Sequence, residues 1–362
     1  MSLVLSKAQV AKLRNLCARA EAKGALTPAI LKVIYREKWF KFFVPKALGG
    51  LELSLPEALQ YEEYLAYIDG SLGWTVTLCA GANLFCGYIE KEKAYTVFSK
   101  EKVCFGGSGA ASGVAEKVKG GYMVKGYWKY ATGAPHLTHF TANCVIEKEG
   151  KVVLKKDGTP LTQSFFFKRN EVTVYKDWDT MGLKATAGHS FSVRHVKVSD
   201  DRSFIIDEAY TTIDSDIYRY PFLPFAEATI AVNTLGMTQH FLEEALHIVQ
   251  QKYRQGKAGD TSSSIAETAI IGAQQQVRKL SDRFYKVIDI SWKELEQNHT
   301  VSQKTTGKIA ALSRQLVKEC RQQVSEMYPY CGLAATNNGT TINRVFRDIF
   351  TGSQHGLLTF DR

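Results

Sequence analysis

The stretch GGYMVKGYWKYATG, residues 120–133, sets aromatic and β-branched residues (Tyr122, Val124, Trp128, Tyr130) against polar ones and is punctuated by glycine. Period-two alternation of this kind is the pattern of a half-buried strand. The same texture returns in HFTANCVIEKEGKVVL (139–154), SFFFKRNEVTVYKDW (164–178) and HSFSVRHVKVSDD (189–201). Together these stretches predict a compact antiparallel β unit from about Val103 to about residue 210. On either side the period changes to that of a helix. Upstream, PEALQYEEYLAYIDG (56–70) places Leu59, Tyr61, Tyr64, Leu65 and Ile68 at helical spacing behind Pro56, and Gly70 is read as its end. Downstream, four helical segments (228–253, 265–297, 307–328 and about 342–351) are enough for a bundle. The expected plan is α+β: an N-terminal helical domain (1–102), a central β domain (103–212) and a C-terminal four-helix bundle (213–362).

The chain has 362 residues, 45% of them hydrophobic, which suffices for a large core. Leu3, Val4, Val10, Leu13 and Leu16 are interrupted by Lys7, Lys12 and Arg14, unlike a signal peptide, and no apolar run reaches bilayer length. A cytoplasmic protein without membrane association is expected. The seven cysteines are odd in number and scattered, which favours reduced, buried thiols over disulfides or a zinc motif. A net charge of +10 suits a phosphate-bearing small molecule, whereas the spread of the basic residues, with no nucleic-acid-binding pattern beside them, argues against nucleic acid.

Two motifs invite chemistry. VCFGGSGAASG (103–113) is rich in glycine, yet Ser112 stands where a third dinucleotide-loop glycine would be and no P-loop lysine follows. It is either a structural turn or a place where backbone N–H groups approach a cofactor. GYWKYATGAPHLTHF (126–140) crowds Trp128, Tyr130, Thr132, His136 and His139 together. That is a β core in the plainer reading, or a wall for a flat heterocycle. No third ligand is evident beside the two histidines, so no metal is expected.

Four segments in order carry a resemblance: 42–74 (FFVPKALGGLELSLPEALQYEEYLAYIDGSLGW), 127–134 (YWKYATGA), 177–198 (DWDTMGLKATAGHSFSVRHVKV) and 233–246 (NTLGMTQHFLEEAL). Across nearly its whole length the chain resembles the acyl-CoA dehydrogenase superfamily. The resemblance implies a flavin, FAD or else FMN, between the β domain and the bundle. It implies that Thr132 bonds the flavin N5 region and that Tyr130 flanks the ring. Cys104, Phe105, Gly107 and Ser108 fall on the segment facing the flavin, where Gly106 replaces the usual threonine. Arg347 joins them, and Arg254 stands for the arginine of the pyrophosphate contact.

The departures from the family pattern bear on the reaction. Acyl-CoA dehydrogenases place a glutamate after the Arg-Asp pair (here Arg347 and Asp348), whereas this chain has no acid between Asp348 and Asp361 and offers His355. That resembles the two-component flavin-dependent monooxygenases, in which such a histidine works beside the flavin and reduced flavin comes from a separate reductase. An imidazole titrating near neutrality suits the task. In the alternative reading, an acyl-CoA dehydrogenase, Glu227 would abstract the α-proton. A catalytically silent flavin- or CoA-binding relative is the third. The expected substrate is an acyl-CoA or an aromatic or hydrophobic compound, and the expected assembly is a homodimer or homotetramer.

Overall fold

The computed structural model describes residues 5–255 and 262–358. Helices α1 (Lys7–Lys23), α2 (Pro28–Arg36), α3 (Leu55–Ile68), α4 (Gly70–Asn83) and α5 (Lys91–Phe98) come first. Strands β1 (Phe105–Val118), β2 (Gly121–Ala131), β3 (His139–Lys148), β4 (Lys151–Val152), β5 (Thr162–Lys168), β6 (Thr173–Tyr175), β7 (His189–Ser199) and β8 (Ser203–Phe204) follow. Then come α6 (Asp216–Arg219), α7 (Phe222–Gln255), α8 (Ser262–Asn298), α9 (Gln303–Met327), α10 (Leu333–Thr336) and α11 (Thr341–Gly352). The plan is the mixed α+β one expected, with helices before and after a central sheet.

Local chemistry starts and stops these elements. Ser54 and Glu57 form a reciprocal capping box at the head of α3, with Pro56 in the first turn. Gly70 opens α4 instead of merely closing α3. The Asp69 side chain accepts from the Leu72 amide at 3.1 Å, so one extended residue ends one helix and caps the next. α4 is apolar almost all round and is buried against α3, α7 and β1. The 34 residues of α7 make a rod roughly 50 Å long, which packs on α3, α4, α8, α9 and α11.

The strands form one sheet in the order β6-β7-β2-β1-β3-β5-β8, with β4 paired to β3. One pair departs from the expected antiparallel pattern: β1 and β3 run parallel. β1 and β2 make an ordinary hairpin, after which residues 132–138 cross the start of β1 and place His139 beside Phe105 on its other edge. The crossing is pinned by the Thr138 amide, which donates to the Cys104 carbonyl at 2.9 Å. Trp128 anchors the sheet core, stacked on Phe191 at 5.2 Å and donating from Nε1 to the Asn143 carbonyl. Among the described residues no helix is long and apolar enough to cross a membrane.

Candidate functional site

A cavity opens where the sheet meets α4 and α7. β1 contributes Gly106, Gly107, Ser108 and Gly109, and the crossing turn contributes Thr132; α4 supplies Thr77 and Leu78, and α7 supplies Phe225 and Ala226. It encloses about 180 Å³. Its polar groups are hydroxyls, one amide and glycine backbone, and among the described residues no acidic one lines it.

The turn that carries Thr132 is conformationally demanding. Tyr130 (φ 69), Gly133 (φ 78), Leu183 (φ 52) and Ala187 (φ 46) all lie in the left-handed region. Such backbone is costly in non-glycine residues and is held only where the surroundings fix it. Here the Gly133 amide donates to the Thr186 carbonyl at 2.7 Å, and the Thr186 hydroxyl donates to the Leu183 carbonyl at 2.7 Å. The Leu183 amide in turn donates to Asp348 Oδ1 at 2.5 Å. A line of hydrogen bonds therefore connects the cavity turn to α11. Burial beside Asp69 pushes the Asp348 carboxyl well above the usual range.

Gly107, Ser108 and Thr132 line the cavity. Gly106 replaces the familiar threonine for a steric reason: a Cβ there would meet Leu137 Cδ2 at 2.7 Å and the Thr132 carbonyl at 3.1 Å. Tyr130 remains 68% exposed, edge-on to Trp178 at 6.1 Å, and offers a free aromatic face. Phe105 lies deeper, its ring taken up by Phe98, His139 and Phe166. The Cys104 thiol is buried beside Cys79 and His136. His139 is held at about 4 by burial and by the positive charge of Lys100, Lys168 and Arg202, so it is neutral at physiological pH.

His355 is half-buried just beyond α11, its ring 6.1 Å from that of Trp74. Trp74 sits one α4 turn from the cavity residues Thr77 and Leu78. Glu227 is on α7 beside the cavity residue Ala226, but its own side chain is buried in the bundle, where Arg314 donates to Oε1 at 3.0 Å. The Arg347 guanidinium ties elements together: it donates to Glu21 at 2.5 Å, to Asn343 at 2.8 Å and to the Met181 carbonyl. The side chain of Arg254 falls outside the described residues. Sequence reasoning missed Thr77 and the aromatic wall of Phe222 and Phe225, because nothing in a helical repeat says which buried face borders a cavity.

The walls fit the flavin that the family pattern implies. Gly106, Gly107, Ser108, Gly109 and Thr132 line a largely apolar slot together with Phe222 and Phe225.

Comparison with known proteins agrees with this architecture. Residues 228–360 match the family "Acyl-CoA dehydrogenase, C-terminal domain". The chain is 22% identical over 321 residues to "Indole-3-acetate monooxygenase" of Pseudomonas putida, covering 88% of this chain and 80% of that protein. It is 23% identical over 373 residues to "Flavin-dependent monooxygenase, oxygenase subunit HsaA" of Mycobacterium tuberculosis (strain CDC 1551 / Oshkosh), covering 95% and 88%. The crystal structure of 3-HSA hydroxylase from Rhodococcus sp. RHA1 superposes with a TM-score of 0.89 over 97% of this chain and 91% of that one, at 18% identity. Residues 228–360 thus match the C-terminal domain of the acyl-CoA dehydrogenase family, and over nearly its whole length the chain shares the fold of the 3-HSA hydroxylase.

Proposed function

We propose that this protein is the oxygenase component of a two-component flavin-dependent monooxygenase, acting on a small aromatic or hydrophobic compound. The observation that carries the reading is that, among the described residues, no acid lines the cavity. Removing the α-proton of a thioester needs a carboxylate in reach of the substrate. The one acid the sequence offered for that purpose, Glu227, is engaged with Arg314 in the bundle.

Bound in its reduced form, the flavin supplies the two electrons with which dioxygen is divided between one inserted oxygen atom and water. In this reading Thr132, Gly107 and Ser108 hold the ring, and Tyr130 flanks it. His355, one α4 turn from the cavity through Trp74, gives or takes the proton that accompanies oxygen transfer. The hydrogen-bond line from Gly133 through Thr186 and Leu183 to Asp348 keeps the turn that carries Thr132 in place when flavin enters. The apolar walls keep water from the reacting oxygen.

Reduced FAD, or FMN, is delivered by a separate reductase, as the name of the M. tuberculosis relative, an oxygenase subunit, suggests for that protein. The basic surface favours a phosphate-bearing cofactor. α8 leaves Ile265, Ile271 and Ile290 exposed, which supports assembly into a homodimer or homotetramer through the bundle. Seven buried free cysteines suit the reducing cytoplasm.

The deciding experiment loads the protein with oxidised flavin and mixes it, without oxygen, with a series of acyl-CoA thioesters. The flavin colour is expected to persist. Bleaching by any thioester would make the protein a dehydrogenase.

A further inference from the structure

Cys79 lies on α4, Cys104 just before β1 and His136 in the turn that crosses it. The crossing brings them together, and their sulfur and nitrogen ligand atoms all lie within 4.8 Å of one another. Both thiols are fully buried. The three groups find little beyond one another to satisfy them. His136 Nε2 is buried without a hydrogen-bond partner, a costly state for a polar atom. Beyond one another and the imidazole, the thiols reach only long carbonyl contacts, Cys79 with Thr132 at 3.9 Å and Cys104 with Phe105 at 4.0 Å.

The surroundings hold this arrangement. The His136 ring stacks on Phe40 at 5.7 Å and 9°, which fixes its plane. Gly133 has φ +78, and a Cβ there would stand 2.7 Å from His136 Nε2 and 3.3 Å from Cys79 Sγ. Only glycine allows the turn to adopt that backbone and leaves room where the three ligand atoms converge. Burial raises the Cys79 thiol, but Cys104 and His136 beside it outweigh burial and bring it down to about 6. Cys104 is pushed well up by burial and by Cys79. A bound cation would displace the thiol protons.

We propose that Cys79, Cys104 and His136 form a binding site for a thiophilic metal ion of the zinc class. Two sulfurs and an imidazole are ligands of such an ion, and the lack of oxygen donors argues against magnesium or calcium. Metal–ligand bonds of about 2.3 Å to sulfur and 2.0–2.1 Å to nitrogen set ligand atoms roughly 3.5–3.8 Å apart, so the cluster has to close by about 1 Å at most. The ion would clasp α4 to β1 and to the Thr132 turn, and so stiffen the cavity wall from behind. The site is distinct from the flavin slot and does not depend on the reaction proposed for it.

The test strips the full-length protein with a chelator under reducing conditions and titrates it with Co²⁺ alone. Expected is a thiolate-to-cobalt charge-transfer band that saturates at one ion per chain and is displaced by Zn²⁺. Cys104→Ser and His136→Asn are each expected to weaken binding tenfold or more. The proposal fails if the wild-type protein shows no saturable band, a result that needs no variant to fold. It fails equally if both variants bind as the wild type does, or if the protein purified without reductant carries a Cys79–Cys104 disulfide.

Discussion

Thr132 combines two duties, since it lines the cavity while its backbone sits between the left-handed Tyr130 and Gly133. Removing the hydroxyl leaves the turn intact, so Thr132→Ala should fold normally and bind reduced flavin about tenfold more weakly, the value of one hydrogen bond of roughly 1.4 kcal/mol. Anaerobic fluorescence titration checks this, and Thr132→Ser should restore affinity. Glu62 is a different kind of residue. It is fully buried, and burial pushes its carboxyl well above the usual range, offset only in part by the Thr77 hydroxyl beside it. An acid whose folded pKa is raised contributes stability that is complete below its unfolded pKa, near 4.5, and is lost as pH climbs toward the folded value. Glu62→Gln copies the protonated form. Its urea midpoint should therefore gain on that of the wild type as pH rises from about 4.5 to 8; parallel curves would show that the carboxyl is already ionised in the folded protein.

At the scale of elements, α11 matters because it holds the loop between β6 and β7 to the bundle. Gly182 packs on the α11 backbone so closely that a Cβ would lie 2.1 Å from the Arg347 carbonyl oxygen. Gly182→Ala should cost about 1–3 kcal/mol by forced separation, read in thermal unfolding, and should also weaken flavin binding, because the strain reaches Thr132 through Leu183 and Thr186. Much of this scale was legible in the sequence. The switch from period two to helical period and back located the sheet between two helical regions, and the Gly-rich and Tyr-Ala-Thr-Gly segments turned out to border one cavity. What was not legible is what depends on side chains from distant segments. The parallel pairing of β1 with β3 follows from a seven-residue crossing that no local pattern encodes. Arg347 and Glu227 have partners, Glu21 and Arg314, that are remote in sequence. The convergence of Cys79 and Cys104 on His136 was hidden for the same reason, since only the crossing turn and α4 bring them within reach.

At the scale of the whole molecule, the sheet provides the cavity turn, α4 and α7 provide the opposite wall, and His355, just beyond α11, lies with its ring 6.1 Å from Trp74 of α4. A helical layer buried on nearly every side gives the cavity a rigid, dry back, and the +10 charge draws in a cofactor that bears phosphate. The central claim is that this junction receives reduced flavin and controls its reaction with oxygen. The most direct measurement mixes the protein and anaerobically reduced FAD with oxygenated buffer, in the absence of substrate, and follows hydrogen peroxide release against flavin oxidation. The account predicts that peroxide appears more slowly than from free reduced FAD, and that His355→Ala shortens the delay. Peroxide released as fast with the protein as without it would contradict the account.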